Sequence, residues 1–251
     1  MVRISASGYV EAEAEDACGE GDGTMVLLKL IMSGALTIAI FGGLLFLPAG
    51  TLHWWRAWVF LGVVCVATVA TYVSIFPGNE ALLNERLKGP IQQGQPLADK
   101  IVTVALVATT FGLIAFIPLD VFRFRLMGEP GVLVSSLGLV LFVAGWWIIA
   151  LGLRENAFAA PVVKLQAERH QTVIDTGVYA VVRHPMYAGG ILFFVGMPLW
   201  LGSYAAALLA SVPIATVVAR ATIEERFLRR ELAGYDAYMA RTRYRLIPFV
   251  W

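Results

Sequence analysis

Histidine and cysteine are scarce in this chain. His53, His170 and His184 are its three histidines, too few for a di-iron membrane hydroxylase. Its two cysteines, Cys18 and Cys65, fall one in a polar stretch and one in an apolar run, so they form neither a disulfide framework nor a metal-ligand set. No metal is expected. Charge is scarce as well: Asp, Glu, Lys and Arg make up 15% of 251 residues and nearly cancel, at net +1. That balance indicates no acidic partner, and no basic patch interleaved with aromatics marks a nucleic-acid surface. Soluble domains carry about 25% charged residues.

What fills the space is apolar. Hydrophobic residues are 59% of the chain and the mean hydropathy is +0.74, more apolar surface than a soluble fold of this length can hide. The expected fold is all-α, a multi-pass transmembrane bundle of about six spans, because a helix crosses a bilayer with roughly 20 apolar residues. The runs are 25–47, 54–76, 100–119, 131–153, 186–201 and 204–219. Trp54, Trp55 and Trp58 open the second like an interfacial aromatic belt. The last two are shorter and meet at Gly202-Ser203, which reads as a tight helical hairpin, with Pro198 and Pro213 as kink positions.

Residues 1–24 are acidic, with Glu11, Glu13, Glu15, Asp16, Glu20 and Asp22 against Arg3 alone. This reverses the charge of a signal peptide, and a disordered tail is expected, with Met25 as a candidate natural start. Gly19-x-Gly21-x-Gly23 follows no strand and is no phosphate loop. The division expected is this tail, a four-span membrane part over 25–153, and a core over 154–251. With six spans, every Lys and Arg except Arg56, Arg123 and Arg125 falls on the side of the two termini. The positive-inside rule makes that side cytoplasmic. The first four spans hold almost no ionisable residues, which disfavours a transporter or channel.

Polar and special residues gather after Arg154. The 154–185 loop is long yet contains Val173, Ile174, Val178, Tyr179, Val181 and Val182, too apolar for disorder, and is expected to cover the mouth of the bundle. In Arg183-His184-Pro185-Met186-Tyr187-Ala188-Gly189, Pro185 suits the first position of a helix, whose free N–H groups attract an anion. Tyr187 offers a ring face to a cation or purine, and Gly189 and Gly190 permit close approach. The bland alternative is an Arg-His pair snorkelling to headgroups. Arg220 and Glu224 share a helical face; with Glu225 and Arg226 they also fit a merely solvated charged helix. Tyr235, Tyr238 and the closing Arg243-Tyr244-Arg245-Leu246-Ile247-Pro248 fit interfacial anchors.

Taken together these segments resemble the isoprenylcysteine carboxyl methyltransferase family of integral membrane methyltransferases. The resemblance runs from about Asn156 to Pro248 on Val162-Val163-Lys164-Leu165-Gln166, Val173-Ile174-Asp175-Thr176-Gly177-Val178-Tyr179, Arg183 to Gly189, Arg220-x-x-x-Glu224-Glu225, the Tyr235/Tyr238 pair and the final Arg-x-x-x-Pro. It implies a cytoplasmic S-adenosyl-L-methionine site outside any Rossmann fold. Gln166, Gln171, Thr172, Val173, Ile174, Tyr179, His184, Pro185, Met186, Tyr187 and Glu224 would surround the cofactor. Arg220 would hold a substrate carboxylate, and Glu225 is the further catalytic candidate. Gln171 stands where a family member carries histidine, with His170 one residue earlier.

The implied activity is O-methylation of the carboxylate of a lipophilic, isoprenylcysteine-like substrate. A carboxylate is already ionised at neutral pH, so transfer needs alignment and exclusion of water rather than a base. Two other activities fit the residues. An amine methyltransferase acting on a phospholipid headgroup would need a base, with Glu225 or His184 as candidates. A sterol-reductase-type enzyme would use NADPH and could bind its extra phosphate with Arg226, Arg229 and Arg230. The expected partners are membrane lipids and the lipophilic acceptor.

Overall fold

The computed structural model describes residues 31–250 apart from Ser33. The expected acidic tail, the candidate start at Met25 and Cys18 lie outside the described residues. The described residues divide into two units between Ile40 and Phe41. All regular structure among the described residues is helical. The helices are α1 (Gly34–Ala49), α2 (Trp55–Ile75), α3 (Glu80–Arg86), α4 (Leu97–Leu119), α5 (Val132–Glu155), α6 (Pro185–Leu201), α7 (Tyr204–Leu209), α8 (Ser211–Glu231) and α9 (Tyr235–Arg241). The chain folds as a multi-pass membrane helical bundle.

Among the described residues, four helical stretches are long and apolar enough to cross a membrane: Trp55–Ile75, Leu97–Phe124, Val132–Glu155 and Tyr204–Glu231. Their outer faces are apolar and exposed, as with Val66, Val69 and Val73 on α2 and Val132, Leu133 and Trp147 on α5. With no water to satisfy it, backbone in such an environment closes its hydrogen bonds within each helix. The remaining expected spans are shorter. The described part of the first is Gly34–Ala49, and α6 has 17 residues, about 25 Å of helix against a hydrocarbon core of about 30 Å. α6 is bounded at both ends by its sequence: Pro185 occupies the first turn, and Gly202, at φ 104°, ends the helix in a left-handed conformation closed to most side chains.

The 186–201 and 204–219 segments do turn at Gly202-Ser203, but the close partner of α6 is α5. Gly138, Gly145 and Gly152 recur every seventh residue along α5 and meet Gly196, Gly189 and Met186 of α6. A Cβ on Gly145 would lie 2.5 Å from the Gly189 carbonyl oxygen, and one on Gly138 would lie 2.7 Å from the Trp200 amide nitrogen. Small residues at this spacing let two backbones approach in a setting where the hydrophobic effect supplies no attraction between helices. Gly190 has open space around it. The α5–α6 pair is anchored to α2 by Trp146 Nε1, which donates to Thr71 Oγ1 at 3.1 Å, and by Trp200 Nε1, which donates to the Arg56 carbonyl at 2.9 Å.

α4 carries a buried carboxylate near each end. Asp120 opens the π-helical turn Asp120–Phe124 that follows Pro118. It accepts hydrogen bonds from the Leu126 amide and the Ser203 hydroxyl, holding the α6–α7 turn to α4. Asp99, in the first turn, faces the other end of the bundle, where the irregular 156–184 segment lies.

α8 runs unbroken from Ser211 to Glu231, so Arg220, Glu224 and Glu225 continue the last span. Arg220 is 8% and Glu225 3% exposed. The solvated-helix reading of this cluster is thereby corrected: only a helix whose polar face is packed against other polar groups can bury these charges.

Candidate active site

A cavity of about 330 Å³ opens where the C-terminal end of α5, the start of α6 and the last turns of α8 meet the 156–184 segment. Sites for small molecules fall at roughly 300–1,000 Å³. Eleven expected site residues line it: Gln171, Thr172, Val173, Ile174, Tyr179, His184, Pro185, Met186, Tyr187, Arg220 and Glu224. Four-residue spacing places Arg220, Glu224 and Leu228 on one face of α8, and all three reach the cavity. Tyr235 and Tyr238 of α9 close its far wall.

Gln166 and Glu225 are not in the lining. Gln166 is fully buried and organises the loop instead: its amide group donates to the Phe158 carbonyl at 2.7 Å, its side-chain oxygen accepts from Arg169, and its backbone N–H donates to Gln171 Oε1 at 2.9 Å. Glu225, about 100° further around α8, packs against Arg183, His184 and Arg245. Its Oε1 accepts from Arg183 Nε at 2.7 Å and lies 3.2 Å from His184 Nε2. Its Oε2 accepts from Arg245 Nε at 2.9 Å. Arg183 also donates to the Thr242 and Arg243 carbonyls, and the Arg183 and His184 amides donate to the Tyr244 and Arg245 carbonyls. Glu225 is thus the hub that fastens the C-terminal segment against the Arg183–Pro185 turn. A carboxylate with two arginines and a histidine around it is fully engaged, which is the physical objection to using it as a base.

Glu224 is different. Its carboxylate accepts from the Tyr187 hydroxyl at 2.5 Å, and its nearest cationic candidate, His184 Nδ1, is 3.9 Å away. The His184 and Tyr187 rings stack at 5.3 Å and 10°, giving a flat wall beside the acid. Tyr179 receives a bond from Asn156 Nδ2 at 3.3 Å, and its backbone carbonyl accepts from the Tyr238 hydroxyl at 2.8 Å. Burial pushes the Tyr179 phenol up to about 12, so it is a neutral group throughout the physiological range.

Arg220 is held in place from two directions. Its Nε donates to Asp99 Oδ1 at 3.1 Å and its Nη2 to the Pro161 carbonyl at 2.5 Å. Asp99, fully buried, also accepts from Gln95 Nε2 at 2.7 Å and the Val163 amide at 2.9 Å. One carboxylate on α4 therefore sets the position of both the arginine and the loop that faces it. The guanidinium lies 6.0 Å from the Tyr187 ring centre, within cation–π range.

Arg86, Asp99, Asn156 and Lys164 were absent from the expected site. Arg86, Asn156 and Lys164 line the cavity, and Asp99 lies behind it. A signal was present for Asp99, an acid at the edge of a long apolar run. The 79–100 connection, with Asn84-Glu85-Arg86-Leu87, was a candidate cover for the site, but its sequence assigned Arg86 no contact. The donor set as a whole suits a zwitterionic, part-aromatic molecule: a carboxylate without a close cation, guanidinium groups, a stacked ring pair, and the apolar Val173, Ile174, Leu228 and Leu232.

No curated protein matches the chain. The model of the phospholipid methyltransferase family matches residues 133–233, from the first turn of α5 to just beyond α8. That span includes the glycine-packed helix pair, the Arg183–Tyr187 turn and the Arg220/Glu224 face, so over these residues the chain is similar to the phospholipid methyltransferases.

Proposed function

We propose that the protein transfers a methyl group from S-adenosyl-L-methionine to the carboxylate of a lipophilic, isoprenylcysteine-like acceptor, at the cytoplasmic end of the bundle. The observation that carries this reading is the pairing of a buried, Asp99-oriented Arg220 with a fully engaged Glu225 around one cavity. Such a site can hold an anion and offers Glu225 no part in removing a proton. The donor family implies S-adenosyl-L-methionine, which supplies an electrophilic methyl on a sulfonium.

Each residue has a physical part in this reading. Glu224, fixed by Tyr187, receives the donor's ammonium or ribose hydroxyls. The stacked His184 and Tyr187 rings and the apolar Val173 and Ile174 form the walls. Arg220 orients the acceptor carboxylate through a guanidinium fork while Asp99 shares its charge, which leaves the acceptor oxygen more nucleophilic than a full ion pair would. Glu225, Gln166 and Asp99 position these groups and touch neither reactant. The charge bias of the loops puts this end in the cytoplasm with both termini.

Amine methylation of a phospholipid headgroup is the second reading, favoured by the family match itself. The test supplies methyl-labelled S-adenosylmethionine to the purified protein with either N-acetyl-S-farnesylcysteine or phosphatidylethanolamine vesicles. Label recovered as methanol after mild alkali is the methyl ester this reading expects. Alkali-stable label on phosphatidylethanolamine overturns it in favour of the amine.

A further inference from the structure

We infer that Arg86 is an anion-binding residue of the cavity: its guanidinium, delivered by α3 from outside the matched family segment, holds an oxyanion of a bound ligand, carboxylate or phosphate. This rests on the methyltransferase reading above and deepens it.

Arg86 lines the cavity together with Arg220, yet pairs with no carboxylate among the described residues. The two buried arginines at this end have counter-ions, Arg220 in Asp99 and Arg183 in Glu225, and the half-buried Arg169 is held by Gln166 Oε1 and the Ala157 carbonyl. Arg86 is half-buried. Burial first, and then the charge of Arg220, lower its hold on its proton. A cation in such a place costs free energy, and no carboxylate among the described residues offsets it. An arriving oxyanion would offset it, and a guanidinium presents the bidentate fork that carboxylates and phosphates fit.

The surroundings show that the placement is built. The preceding residue, Glu85, is 4% exposed and forms ion pairs with Lys88, at 2.7 Å, and with Lys164 across the cavity rim. Burial alone would raise the Glu85 carboxyl, but hydrogen bonds from the two lysines outweigh it and hold the group below its ordinary value. Leu82 and Leu83 are buried beneath the same short helix. Glu85 thus clamps α3 to the Val162-Val163-Lys164 wall, and the next side chain enters the cavity. The clamp ties Lys88 and Lys164 to Glu85, while Arg86 is given no such carboxylate partner among the described residues.

The experiment compares wild type, Arg86→Ala and Arg86→Lys in detergent, by calorimetric titration with three probes: S-adenosylhomocysteine, 5′-methylthioadenosine and N-acetyl-S-farnesylcysteine. The expected result is a loss of about 10-fold or more in affinity for one oxyanion-bearing probe, smaller in Arg86→Lys, with no fall in the melting temperature of the unliganded protein. Loss for S-adenosylhomocysteine with 5′-methylthioadenosine unaffected assigns the oxyanion to the donor's carboxylate. Loss for the farnesylcysteine alone assigns it to the acceptor. Unchanged affinity for all probes, or a fall in melting temperature that Arg86→Lys restores without any change in affinity, overturns the inference. If wild type binds no S-adenosylhomocysteine, the methyltransferase reading fails first, and the two failures are distinct.

Discussion

Arg220 Nε donates to Asp99 Oδ1 across 3.1 Å, joining the middle of α8 to the first turn of α4, 121 residues away in sequence. Because Asp99 also accepts from the Val163 amide, this contact couples the bundle to the cavity wall.

Removing Asp99 leaves Arg220 buried without its counter-charge. Breaking one partner of a buried pair typically costs about 3–5 kcal/mol. Asp99→Ala is expected to lower the unfolding midpoint in detergent by that order and to abolish turnover. Asp99→Asn, which can still accept from Val163, should be the milder of the two.

Glu224→Ala removes the cavity carboxylate that lacks a close cation. Its affinity for S-adenosylhomocysteine should fall by about 10-fold or more, while Arg220→Ala should reduce turnover with little change in that affinity. Equal affinity in Glu224→Ala and wild type would refute the assignment of this residue.

Glu225→Gln separates a positioning part from a binding part. It weakens the contacts that hold Arg183, His184 and Arg245, so the C-terminal segment should become more open to proteolysis after Tyr238, with a loss of about 3–5 kcal/mol in stability. S-adenosylhomocysteine should still saturate the folded fraction, which limited proteolysis with and without that compound would report.

Gly145→Val should separate α5 from α6, since even a Cβ there would stand 2.5 Å from the Gly189 oxygen. Overpacking of this kind costs about 1–3 kcal/mol or more. Gly190→Ala, with open space around the residue, is the matched control, expected to leave the melting temperature unchanged.

The Tyr179 phenol titrates at about 12 against an ordinary value of 10.0. An unfolded chain loses this proton at lower pH than the folded one. The stabilising contribution is therefore full below pH 10 and lost progressively between about pH 10 and 12. Burial raises the Tyr235 and Tyr238 phenols further still, so spectrophotometric titration of the tyrosinates should show several late phenolates, of which Tyr179→Phe removes the one near 12.

Much of the architecture follows from local pattern. Apolar runs of span length, Pro185 at a helix start, Gly202 at a helix end and the four-residue spacing of Arg220 and Glu224 are short-range features, and a helix expresses them wherever it sits. Of the eleven cavity residues that the resemblance implies, ten lie in the contiguous stretches 171–174 and 184–187 or one helical turn apart at Arg220 and Glu224, and Tyr179 stands alone between them. The partner of α6 was less legible. Glycines at a seven-residue spacing announce a close neighbour without naming it, and the adjacent segment at 204–219 was the natural guess, where α5 is the answer.

Glu224 and Glu225 mark the boundary between what the chain alone decides and what only its folding decides. The sequence by itself determined that both acids ride on a helix and, since successive residues are about 100° apart around its axis, that they face different ways. Which one faces the cavity depends on where Tyr187, Arg183 and Arg245 arrive from other elements. Only the tertiary structure decided that Glu224 lines the cavity while Glu225 fastens the C-terminus. It likewise brought Arg86 and Asp99 to a site whose other lining residues all lie from Ile149 onward, because contacts between distant segments are set by packing that no local period encodes.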